Sequence, residues 1–189
     1  MRYLIVFALL LGCLPAQAKE ISGVQVQETV RTPAGRELRL NGAGIRAKFV
    51  FDIYIAALYL GKQTAAAEEV LTDPGPKRVV MHFLHKHVAA EKLVAAWNEG
   101  FAANNSTETL DSLKADIAAF NGFFTDVNRG DRVILDFDPT KGTSVTIAGQ
   151  KKGTIANREF YPALLKIWLG DKPVTEKLKK QLLGRENHT

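Results

Sequence analysis

The apolar and polar positions divide the chain into strands, a helical block, a second set of strands and a helical tail. Ile21 to Val30 alternates, with Val24 and Val26 set between polar residues, and predicts a strand. Thr32-Pro33-Ala34-Gly35 is a turn, and Glu37 to Leu40 starts the next strand. Asn41-Gly42-Ala43-Gly44 then predicts a small-residue turn that places Arg46 at the mouth of a long strand. That strand, rich in β-branched and aromatic residues and closed by Gly61, has the pattern of one buried on both faces. Thr64 supplies a cap, and Glu68 and Glu69 an acidic first turn, for a helix stopped by Asp73-Pro74-Gly75-Pro76.

Lys77 to His85 predicts a strand with Val79, Met81, Phe83 and His85 on one face. Ala90, Val94, Trp97 and Phe101 fall at helical spacing, ending near Asn104-Asn105. Leu110, Leu113, Ile117, Phe120 and Phe124 predict a second helix. Strands resume at Arg132 to Phe137, Ser144 to Ala148 and Gly153 to Ile155, separated by turn chemistry. Phe160 to Leu169 predicts a helix with Pro162 in its first turn and Gly170 at its end. Thr175 caps a last helix striped by Leu178, Leu182 and Leu183. The order predicts an α+β domain, an antiparallel sheet with helices on one side.

The N-terminus adds an address. Met1-Arg2-Tyr3, an apolar run from Leu4 to Leu14 and Pro15-Ala16-Gln17-Ala18 form the three regions of a signal peptide cut after Ala18. The apolar run is shorter than the roughly 20 residues of a membrane span. Residues 1–18 are therefore expected to be a leader and 19–189 the mature domain, periplasmic or secreted. A lipoprotein site at Leu10-Leu11-Gly12-Cys13, with Cys13 acylated, is the alternative, and the leucine at its middle position fits it poorly. Cys13 is the only cysteine, so cleavage leaves a domain held by its core alone. The net charge of +5 is scattered, without the aromatic interleaving of a nucleic-acid surface. No second apolar run is long enough for a membrane span.

Candidate chemistry begins with Arg46, whose planar fork suits a carboxylate or phenolate, or the charge forming on an enone oxygen. The plainer reading pairs it with a carboxylate at a strand end. Gly42-Ala43-Gly44 precedes a strand rather than a helix, so a dinucleotide site fails and no cofactor is expected. His82, His85 and His87 cluster near a strand end, with His85 and His87 facing one way; the only other histidine, His188, lies in the tail. No third ligand stands at a metal-binding spacing, and no metal is expected. No serine stands in a nucleophile motif. Asp111 and Asp116 lie on the solvent side of a helix, and Trp97 and Trp168 fall on apolar stripes, as core residues do.

Gly42-Ala43-Gly44-Ile45-Arg46, Phe49 and Leu58-Tyr59-Leu60 resemble the signature segment of the chalcone isomerase-like superfamily. Ala95-Ala96-Trp97 and the Phe160…Leu164…Trp168-Leu169-Gly170 helix extend the resemblance over essentially the mature chain. It implies an open-faced β-sandwich, a large antiparallel sheet covered by a layer of helices with the ligand cleft between. The family holds isomerases that close a chalcone onto its enone, fatty-acid binders and members without assigned activity. Arg46 matches the arginine that polarises the ketone in the isomerases. Tyr54 stands where they order a water with threonine, and His85 and Lys92 stand where they have tyrosine and asparagine. One match in four implies a non-catalytic binder of a small apolar anion, fatty-acid-like or aromatic, anchored by Arg46 with Tyr54, His85 and Lys92 as further contacts. The alternatives are an intramolecular lyase acting on a chalcone-like enone, with Arg46 catalytic, and a partner-binding module with a structural Arg46.

Overall fold

The computed structural model describes residues 18–185. Apart from Ala18, the expected leader lies outside the described residues, as does His188. The first elements are β1 (Ala18–Ile21), β2 (Val24–Gln27), β3 (Thr29–Arg31), β4 (Glu37–Lys48) and β5 (Phe51–Leu60). Next come α1 (Ala67–Thr72), β6 (Lys77–Phe83), β7 (His87–Val88), α2 (Ala90–Asn104), α3 (Thr107–Ser112) and α4 (Lys114–Asn121). The chain closes with β8 (Val127–Asn128), β9 (Arg132–Asp138), β10 (Gly142–Ile147), β11 (Gln150–Ile155), α5 (Phe160–Leu169) and α6 (Glu176–Leu182).

Seven strands form one sheet in the order β11-β10-β9-β6-β5-β4-β3, antiparallel at every joint. β5 lies inside it and alternates between two cores. Tyr54, Ala56, Leu58 and Leu60 join the core shared with Trp97, Phe120 and the helices α5 and α6. Ile55, Ala57 and Tyr59 join a smaller core on the opposite face with Leu38, Leu40 and Val26. Val26 belongs to the β1–β2 hairpin, which covers that face. The expectation of a strand buried on both faces holds, and the architecture is the predicted α+β sheet with a helical layer.

Several boundaries differ for identifiable reasons. Ile21 to Val30 is not one strand, because Ser22 and Gly23 take positive φ (48° and 76°) and fold β1 back on β2. The turn expected at Asn41-Gly42-Ala43-Gly44 is the middle of β4. Its glycines serve close approach instead: a Cβ on Gly42 would lie 2.1 Å from the Gln181 carbonyl oxygen of α6. The reversal falls at Phe49-Val50, so Arg46 stands near the end of β4 rather than at the mouth of the long strand. The helix expected over Leu110 to Phe124 is two short helices, α3 and α4, meeting at Leu113. Thr64 does not cap α1, whose N-cap is Ala66, but accepts from the Ala66 N–H. α5 matches its expected bounds, and the Thr175 hydroxyl accepts from Leu178 N at the start of α6.

His82 stands opposite Arg132 across the β6–β9 ladder. Desolvation, then the Arg132 charge, lower its pKa from 6.5. The unfolded chain therefore takes up that proton first as pH falls, and the stabilisation is complete above about 6.5. It is lost as pH drops through the lowered folded value. His82→Gln is expected to flatten the fall in Tm over this window, and an unchanged slope would assign it to other groups.

Candidate functional site

Arg46 on β4 and Tyr54 on β5 are direct partners across the antiparallel ladder, so their side chains share a face. Tyr54 is in turn opposite Phe83 of β6, with ring centroids 5.6 Å apart. This row faces the helices. The Arg46 guanidinium lies over the Tyr54 ring, 5.7 Å from its centroid. Among the described residues, no carboxylate pairs with Arg46 and no hydrogen bond engages its guanidinium.

The row borders a cavity of about 480 Å³ between the sheet end and α2. All four residues singled out from the sequence, Arg46, Tyr54, His85 and Lys92, line it. The interior wall is apolar and buried, built from Met81, Leu93, Trp97 and Ile167. The cationic groups stand toward solvent: Arg46 is half-buried, while Lys48 and Lys92 are exposed. The volume falls within the roughly 300–1,000 Å³ range of small-molecule sites. An apolar body inside with an anion at the rim satisfies both zones.

Tyr54 does more than fill space. Trp168 Nε1 donates to its hydroxyl oxygen at 3.1 Å, in a buried contact. Burial raises the phenol pKa, and the Arg46 charge and the Trp168 hydrogen bond only partly offset this. The phenol thus keeps its proton, and among the described residues no acceptor takes it. The Tyr54 ring and the Arg46 guanidinium form one surface of the cavity wall. Tyr54→Phe is expected to strand the Trp168 donor, costing about 1–2 kcal/mol of stability. Thermal unfolding checks this, and an unchanged Tm would mean that Trp168 finds another acceptor.

His85 lies beyond the end of β6 and packs edge-on to Phe51, with centroids 5.7 Å apart. The strand expected to carry it ends at Phe83, and the Leu84 and His85 N–H groups both donate to Ile53 O. His87 also lines the cavity, and its Nε2 lies 3.5 Å from Asp126 Oδ2. Among the described residues, no three of His, Cys, Asp and Glu gather as metal ligands.

Trp97 was expected in the core and is 4% exposed, but it also forms cavity wall, and its Nε1 has no hydrogen-bond partner among the described residues. Sequence reasoning missed it because a tryptophan on an apolar stripe gives no sign of whether its indole N–H is satisfied. Lys48 was missed as well, although its spacing from Arg46 along the strand was a usable signal.

The sequence profile of the chalcone isomerase-like family matches residues 18–184. The chain belongs to the chalcone isomerase-like family. Among solved structures it is similar to the fatty-acid binding protein of Arabidopsis thaliana, with a TM-score of 0.59 at 14% identity. That alignment covers 82% of this chain and 96% of the plant protein. At this identity the likeness establishes the shared fold. No curated protein matches the sequence. Among the described residues, no helix is long and apolar enough to cross a membrane.

Proposed function

We propose that this chalcone isomerase-like protein is a non-catalytic binder of a small apolar anion, a fatty-acid-like or aromatic carboxylate, held at Arg46. The observation that carries the reading is a guanidinium without a carboxylate partner among the described residues, standing at the rim of an apolar cavity of about 480 Å³. The Tyr54 ring contributes wall surface beside Arg46, and Lys92 and His85 complete a polar rim. The fatty-acid binding activity named for the plant structure agrees with an apolar acid as the ligand class. An address outside the cytoplasm, following removal of residues 1–18, forms part of the proposal.

The lyase alternative calls for polar groups arranged around a reacting ketone and its water. Here the threonine position holds Tyr54, whose oxygen already accepts from Trp168. A structural Arg46 calls for a protein carboxylate, and none pairs with it among the described residues. The test is equilibrium binding of long-chain and aromatic carboxylates to wild type and Arg46→Ala. Loss of affinity in the variant supports the proposal, and equal affinity overturns it.

A further inference from the structure

The β4–β5 hairpin ends in an apolar tip, two residues of which also line the cavity. Phe49, Val50 and Phe51 are 91%, 88% and 56% exposed, the only large apolar side chains so exposed among the described residues. The two central turn positions are Phe49 and Val50, and Phe49 holds a φ of 56°. A bulky residue is disfavoured there. The other two-residue hairpins place glycine second, in Ser22-Gly23 and Ala148-Gly149. This turn gives up favourable chemistry to present three consecutive apolar side chains to the outside.

β3 pairs only with residues 37–39 of β4, and β6 with β5 from Tyr54 onward, so the tip projects beyond both flanking strands. Its surroundings are mainly basic. Arg46, Lys48 and Lys92 line the cavity that Phe49 and Phe51 border. On the other side, Arg129 shares a shallow depression with Val50 and Phe51, and Asp52 is the one acidic residue there. Aromatic side chains flanked by cations match a membrane–water interface bearing anionic headgroups.

We propose that the Phe49-Val50-Phe51 tip inserts into the surface of an anionic phospholipid bilayer, bringing the cavity mouth to the lipid. Phe49 and Phe51 belong to both tip and cavity wall, so an apolar acid passes between bilayer and cavity along a continuous apolar path. That purpose rests on the cavity reading above, but the docking itself is tested without it. Phosphate headgroups meet Lys48 and Arg129 while the phenyl rings enter the interfacial layer.

The test is co-sedimentation of the purified protein with vesicles of phosphatidylcholine, with and without phosphatidylglycerol. Wild type is expected to partition onto the anionic vesicles, less so at high salt. Val50→Asp, outside the cavity lining, is expected to lower partitioning about tenfold or more. The same variant should retain wild-type affinity for a soluble fluorescent fatty acid in vesicle-free buffer, which also reports that it is folded. Wild type staying in the supernatant, or Val50→Asp partitioning like wild type, overturns the docking. Self-association abolished by Val50→Asp, without vesicle binding, overturns it in favour of a second copy as the occupant. Failure of the fatty acid to bind either protein, with Val50-dependent partitioning intact, removes the cavity reading and leaves the docking standing.

Discussion

Arg46→Ala weakens binding of a long-chain carboxylate by about 10- to 100-fold while lowering Tm only slightly. The two expectations come from different magnitudes. A hydrogen bond to a charged group contributes about 1.5–3 kcal/mol net, and each 1.4 kcal/mol is tenfold in affinity. Among the described residues, the Arg46 side chain makes only its contact over the Tyr54 ring at 5.7 Å. A cation–π contact contributes about 0.5–1 kcal/mol at an exposed site and about 2 kcal/mol when desolvated, and the half-buried Arg46 lies between the two. Binding therefore loses more than folding does. Arg46→Lys should recover part of the affinity, since it keeps the charge but not the planar fork. The pair is read by titration calorimetry beside thermal unfolding. The opposite pattern, a lowered Tm with affinity intact, would make Arg46 structural and leave the cavity without its anchor.

Gly42→Ala is expected to destabilise the fold by about 3 kcal/mol, the upper part of the usual range for overpacking. An added Cβ would lie 2.1 Å from Gln181 O and 2.6 Å from Leu182 O. Both are backbone atoms in the last turn of α6, so no flexible side-chain end can swing aside. Asn41 fixes the same approach by donating Nδ2 to Leu182 O at 2.8 Å, satisfying a carbonyl that the helix end leaves open. α6 must therefore lift from β4 or drag the strand with it. For a domain of this size the loss corresponds to roughly 6–12 °C in Tm. A Tm equal to wild type would show that α6 is not held against the strand as closely as the geometry requires.

Gly42 also shows where the sequence was legible and where it was not. Its neighbourhood carried the family resemblance, and the unbroken β-branched and aromatic run of β5 announced a strand buried on two faces. Both follow from local pattern, so the α+β sheet and its helical layer could be read. A small-residue run between two strands, however, has two physical causes: a turn, or a helix packed close on a strand. Only the partner, Gln181 and Leu182 far along the chain, tells them apart. The reversal went instead to Phe49-Val50, whose residues carry no turn signal.

The candidate site follows the same division. Arg46 and His85 stood out from the residues themselves, Tyr54 and Lys92 from the resemblance, and all four border one cavity. What the one-dimensional pattern did not hold was their state. The register pairing Arg46 with Tyr54 depends on a shift in the β4–β5 ladder just beyond Arg46. The hydrogen bond from Trp168 to Tyr54 joins residues from opposite ends of the domain. That Trp97 Nε1 has no hydrogen-bond partner among the described residues is a fact of packing.

The chain's two tryptophans provide the most direct test. Trp97 lines the cavity, and Trp168 stands edge-on to it with centroids 5.7 Å apart. Intrinsic fluorescence would be titrated with fatty acids of increasing length and with their methyl esters. An apolar cavity with a cationic rim predicts affinity rising about fourfold per added methylene until the space is filled. Each acid should bind more tightly than its ester, and that margin should vanish in Arg46→Ala. Acids and esters binding alike, or no fluorescence response at any length, would contradict an anion held at Arg46.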